Sequence, residues 1–99
     1  MSKPLHDREY QHFLAELRAL REESQVTQTE LGRLLKEDQT FVSKVERGVR
    51  RLDVVELRRW TRALGISAGD FIERFEQRLE RHRVAPPPRP SAKVRTRGG

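Results

Sequence analysis

Ninety-nine residues, a formal net charge of +6 and no cysteine bound what this chain can be. The length supports one small domain with a thin core, and without thiols there are no disulfides, thiolate metal sites or cysteine nucleophiles, which fits a reducing cytoplasm. No apolar run approaches the roughly 20 residues that cross a bilayer, and no signal-peptide pattern opens the chain.

Apolar residues recur at helical spacing almost throughout. Tyr10, Phe13, Leu14, Leu17 and Leu20 predict a first helix over about residues 7–23. Thr27-Gln28-Thr29-Glu30 reads as a capping box that starts a second, short helix with Leu31, Leu34 and Leu35 on its inner side. Lys36, Glu37 and Asp38 then form a tight turn. Asp38 is a suitable N-cap for a third helix, Val42 and Val45 make its inward stripe, and Gly48 is its expected left-handed terminator.

A second capping box, Asp53-Val54-Val55-Glu56, opens a fourth helix expected to bury Val54, Leu57, Trp60 and Leu64 and to stop at Gly65. Ser67 with Asp70 starts a fifth, carrying Phe71, Ile72, Phe75 and Leu79, and Pro86-Pro87-Pro88 forbids its continuation. From Val84 the chain is rich in Pro, Arg and Gly with little to bury, so residues 84–99 read as a disordered basic tail beside a domain of residues 1–83. The fold class is all-α, a compact bundle of five short helices.

Positive charge is unevenly spread. Residues 33–62 carry nine Lys/Arg against five Asp/Glu, and the tail has four with no acid, whereas residues 1–32 are net acidic. That asymmetry suits a polyanion partner. Thr27–Gly48 is the stretch that makes the partner specific. A capped short helix, a three-residue turn and a second short helix ending at glycine form a helix-turn-helix, whose second helix enters a DNA major groove. Gln39, Thr40, Ser43 and Lys44 lie on the outward side of that helix, opposite Val42 and Val45.

Arg21, Thr27-Gln28-Thr29-Glu30-Leu31, Phe41-Val42-Ser43-Lys44-Val45-Glu46-Arg47-Gly48 and Leu64-Gly65-Ile66-Ser67 resemble the XRE family, the lambda-repressor-like and Cro-like DNA-binding proteins. The similarity covers about residues 13–73. It implies that Gln28 binds a phosphate oxygen and that Gln39, Thr40 and Lys44 face bases, with Gln39 suited to adenine N6/N7 and Lys44 to guanine O6/N7. Ser43 and Arg47 would touch backbone or neighbouring bases, and Arg50 and Arg51 would grip phosphate. Arg21 and Glu46 match a buried structural ion pair joining helices one and three. The chain departs from the family pattern at Gly32 (usually alanine), Lys36 (often glycine), Glu37 (commonly apolar) and Leu52 (often proline).

Other features have plainer readings. Arg58, Arg59 and Arg62 are expected on a solvated face or at distant phosphates rather than at bases, and Trp60 in the core. His6, His12 and His82 form no ligand set, and Asp7, Glu9 and Glu16 sit in no pocket-forming segment, so neither a metal, a cofactor, a small-molecule substrate nor an enzyme is expected. Phe41 either meets a thymine methyl or folds back onto the preceding helix. Phe75 and Leu79 can pack against Tyr10 and Phe13 or form a dimer contact, and the two readings are not exclusive. The expected function is a cytoplasmic, sequence-specific transcriptional regulator, a repressor binding double-stranded DNA as a homodimer on two-fold operators. An antitoxin or protein-binding adaptor, and a non-specific architectural nucleic-acid-binding protein, are the alternatives.

Overall fold

Four of the five helices begin where a side chain accepts a free N–H of the first turn. In the computed structural model, which describes residues 5–82, α1 spans Leu5–Glu23, α2 Gln28–Leu35, α3 Gln39–Glu46, α4 Val54–Ala63 and α5 Ala68–Arg81. The tail read from residue 84 onward lies outside the described residues. Thr27 and Asp53 close reciprocal capping boxes with Glu30 and Glu56, and Asp38 and Ser67 cap α3 and α5.

The ends of α1 to α4 share another device. Gln25, Lys36, Gly48 and Gly65 all have positive φ, and the next residue's N–H returns to a carbonyl five residues back. This doubly bonded left-handed termination satisfies the last carbonyls and turns the chain sharply. Two of the four positions lack the glycine that favours it. Lys36, at φ 60° and ψ 38°, is where the helix-turn-helix turns.

Gly32 has a different role. A Cβ there would sit 2.9 Å from both the carbonyl carbon and oxygen of Asp38, so the turn lies directly against the α2 backbone. The close approach seats α3 on α2, the most extensive helix pair in the structure.

Leu14, Leu17 and Leu20 of α1 meet Leu31, Val42, Val45, Leu57, Trp60, Leu64 and Phe71 in one core. α1 packs on α3 and α5, and α4 on α2 and α5. Phe13 stands edge-on to Phe71 and Phe75, with centroids 5.7 and 5.6 Å away, and Tyr10 leans on it at 5.2 Å. Buried Glu16 takes hydrogen bonds from Arg74 Nε and Arg78 Nε, each 2.8 Å, tying α5 to α1.

Three apolar residues depart from the expected core. Val54 is 74% exposed, because the inward stripe of α4 meets the core only from Leu57 onward. Leu34 is 54% exposed, leaving Leu31 fully buried and Leu35 half-buried as the inner face of α2. Ile72 is 39% exposed beside fully buried Phe71. No helix among the described residues is long and apolar enough to cross a membrane, and no group of His, Cys, Asp or Glu among them has a metal-binding arrangement.

Candidate nucleic-acid interface

α3 has two sharply different sides. Val42 and Val45 are fully buried and Glu46 nearly so, while Gln39, Thr40, Lys44 and Arg47 are exposed and Ser43 half-exposed. The spacing of 39, 40 and 44 places these side chains on the outer surface of an eight-residue helix. Thr40 and Lys44 make no side-chain hydrogen bond among the described residues, whereas Gln39 is tethered.

The tether begins at Glu46. Its side chain is fully buried and accepts Arg21 Nε at 2.7 Å and Nη2 at 3.0 Å, a side-on bidentate pair. Arg21 Nη1 also donates to the Val26 carbonyl at 3.0 Å, and the hydrogen bonds it donates to Glu46 raise the Arg21 pKa from its ordinary value. The same Glu46 Oε1 accepts Gln28 Nε2 at 3.0 Å, and Gln28 Oε1 accepts Gln39 Nε2 at 3.0 Å. Chemistry fixes the direction of this chain. A carboxylate only accepts, so Gln28 must turn its NH2 toward Glu46 and its carbonyl toward Gln39. Gln39 must then give one N–H to Gln28, keeping its own carbonyl and a second N–H for the outside.

Past α3, Gly48 (φ 80°) allows the loop to fold back over the helix. Arg50 lies with its guanidinium carbon 5.0 Å from the centroid of the Phe41 ring, and Arg51 lies 4.1 Å from that of Tyr10. Phe41 itself is half-buried, 6.5 Å from Trp60, and so packs on the core side of α3. Arg50 also grips Glu56 end-on, Nη1 to Oε1 at 3.0 Å and Nη2 to Oε2 at 2.8 Å. That grip, with the Asp53 N–H, holds the Glu56 carboxyl down to about 2. Asp38, Thr40, Phe41, Lys44, Val49 and Arg50 line an open cleft of about 420 Å³ beside the outer face of α3. Arg47 turns back along its own helix, donating to Ser43 Oγ at 3.2 Å.

The structure thus gathers Gln28, Gln39, Thr40, Ser43, Lys44, Arg47 and Arg50 around one short helix. Arg51 lies apart, over Tyr10 of α1. Phe75 is engaged with Phe13 inside its own chain, and Leu79 is half-buried. The relations not foreseen include the link of Gln28 to Glu46 and Gln39, the pairing of Arg50 with Glu56 and the placement of Arg51 over Tyr10. The capping box had marked Glu56, but its second partner depends on the path of the loop after Gly48, which residue spacing does not give.

A family model described as helix-turn-helix matches residues 17–71. Among solved structures, the chain is similar to an XRE-family like protein from Pseudomonas syringae pv. tomato str. DC3000. The two are 36% identical, with a TM-score of 0.68, over 73% of this chain and 88% of that one. A comparison with curated proteins returned no match.

Proposed function

Because the chain belongs to the XRE family of helix-turn-helix DNA-binding proteins, we infer that it is a sequence-specific regulator of transcription whose third helix reads base edges in the major groove. The observation that carries this reading is the directed chain from Arg21 through Glu46 and Gln28 to Gln39. It leaves Gln39 with one acceptor and one donor turned outward, the complement of adenine, whose N6–H donates and whose N7 accepts. Lys44, without a side-chain partner among the described residues, suits the two acceptors O6 and N7 of guanine, and Thr40 a neighbouring base. Gln28 keeps its second N–H for a phosphate. Ser43, Arg47, Arg50 and Arg51 supply further backbone contacts.

Eight residues of reading helix give few contacts, so high affinity calls for two copies on a two-fold operator, with half-sites about 34 Å apart. The protein acts as a cytoplasmic homodimer, with Leu79 and the remaining exposed edge of Phe75 as contacts. It represses by occupying a promoter.

Selection of bound duplexes from a random-sequence library tests the proposal, and a two-fold symmetric consensus is the expected result. Gln39→Ala and Lys44→Ala should each relax preference at one position per half-site, by about 1–3 kcal/mol of discrimination. Arg50→Ala should weaken binding without changing which base is preferred at any one position. Recovery of no consensus, with binding governed by salt alone, would reassign the protein to non-specific nucleic-acid binding.

A further inference from the structure

A guanidinium has five N–H donors in a fixed planar fork, and the Arg50 hydrogen bonds account for three of them. Nη1 gives one to Glu56 Oε1 and one to the Arg51 carbonyl, and Nη2 gives one to Glu56 Oε2. The donors left over, Nε–H and the second Nη2–H, lie along one edge of the group. They form the same side-on fork with which Arg21 grips Glu46. No acceptor among the described residues takes that edge of Arg50. The guanidinium lies over the Phe41 ring, its carbon 5.0 Å from the centroid, and the side chain is 44% exposed. The group also lines the cleft it shares with Thr40 and Lys44, next to the outer face of α3.

We propose that Glu56 is a positioning residue: by clamping Arg50 end-on it holds the free fork of the guanidinium ready for a bidentate contact with one backbone phosphate, and so raises specific over non-specific DNA binding. The inference rests on the reading of α3 as the DNA-reading helix. Two effects of the clamp act together. Preorganisation removes the ordering cost of a long side chain when a phosphate arrives in the docked position. The carboxylate also cancels the long-range pull of Arg50 on phosphates that are not in that position. A free Arg50 would attract any duplex, whereas a clamped one rewards a single register. Arg51, over the Tyr10 ring and with no carboxylate clamp among the described residues, is the unclamped comparison on the same loop.

The test uses the full chain, with a duplex obtained by selection on the wild type and a random-sequence duplex of the same length. Both affinities are measured at several salt concentrations. Glu56→Gln keeps an acceptor for the Asp53 N–H but loses the end-on clamp. It should bind the random duplex more tightly with a salt slope steeper by about one ion (~0.9 in log–log units), while the specificity ratio falls by about tenfold. Arg50→Lys leaves the Asp53–Glu56 capping box intact and keeps the charge, but has no fork. It should lower the ratio by a similar factor with little change on random DNA.

An unchanged ratio in Arg50→Lys overturns the proposal, since a point charge would then serve as well as an oriented fork. Equal strengthening on both duplexes in Glu56→Gln also overturns it, because Glu56 would then only compete with phosphate. A wild type that shows no preference for any selected duplex overturns instead the reading of α3, a result visible before either variant is made.

Discussion

Replacing the two ends of the buried Arg21–Glu46 pair, singly and together, separates what the pair does for folding from what it does for recognition. The Glu46 side chain is fully buried and that of Arg21 is 11% exposed. Glu46→Leu strands a guanidinium whose remaining acceptor is the Val26 carbonyl. Arg21→Met strands a carboxylate next to Arg18, whose Nε stands 3.8 Å away on a half-exposed side chain and can partly take over. Leaving one buried charge unpaired costs about 3–5 kcal/mol, with Arg21→Met at the lower end. Small domains hold about 5–15 kcal/mol in total. At about 4–8 °C per kcal/mol, each single variant should melt more than about 10 °C below the wild type.

The double variant replaces both charges by apolar groups of similar length and should return to within about 1 kcal/mol of the wild type, or exceed it. Its recognition should not return. Without Glu46, nothing dictates which way the Gln28 amide points, so Gln39 loses its fixed donor and acceptor. Adenine preference at that base should then fall by about tenfold while overall DNA affinity changes less. Urea unfolding followed by far-UV circular dichroism gives the stabilities, and competition between duplexes differing at the adenine gives the preference. Singles that cost under about 1 kcal/mol, or a double as unstable as the worse single, would refute the energetic reasoning. A stable double with intact adenine preference would refute the positioning role of the chain.

Lys36→Gly should stabilise the protein by about 0.5–1 kcal/mol, because a left-handed lysine costs about 1–2 kcal/mol and glycine returns part of that as unfolded-state entropy. Lys36→Ala, which removes the charge but keeps the strain, should show no gain in urea midpoint. Gly32→Ala should reverse the usual gain of about 1 kcal/mol for alanine inside a helix. Its Cβ would press on backbone atoms 2.9 Å away, and overpacking costs about 1–3 kcal/mol; an alanine variant with a raised melting temperature would contradict this. Burial alone would raise the Glu16 pKa, but hydrogen bonds from Arg78 and Arg74 outweigh it and the net shift is downward from 4.5. The unfolded chain therefore takes up the proton first, so the contribution is complete above pH 4.5 and is lost as pH falls toward the folded-state pKa. Glu16→Gln should flatten the melting temperature against pH in that acid range. A slope as steep as that of the wild type would place the acid sensitivity elsewhere, with Glu56 the next residue to replace.

Local signals carried most of the fold. Thr27, Asp38, Asp53 and Ser67 each cap the helix expected of them, and the stripe at 10, 13, 14, 17 and 20 faces the core or its rim, because capping and helical period act over a few residues. Lys36 was legible as a left-handed position only through its place in the family pattern. Val54 was not legible. It shares the stripe of Leu57 and Trp60, and periodicity says which side of a helix is apolar but not how far along the helix its neighbours reach. The same limit applies to the interface. The outward set of Gln39, Thr40 and Lys44 follows from angles around one helix, whereas the partners of Gln28 and Arg50 depend on how separate segments meet in space.

The contrast between tethered Gln39 and unattached Thr40 and Lys44 bears on how such a protein acquires new targets. The positions at 40 and 44 border solvent and hold nothing else in place, so replacing them leaves the scaffold undisturbed and changes only which letters are favoured. Position 39 belongs to a relay that reaches back into the first helix, so altering it disturbs neighbours as well. On the proposed reading, new operators should be reached most readily through 40 and 44, while the base favoured by Gln39 persists among descendants that differ elsewhere along the outer face of the helix.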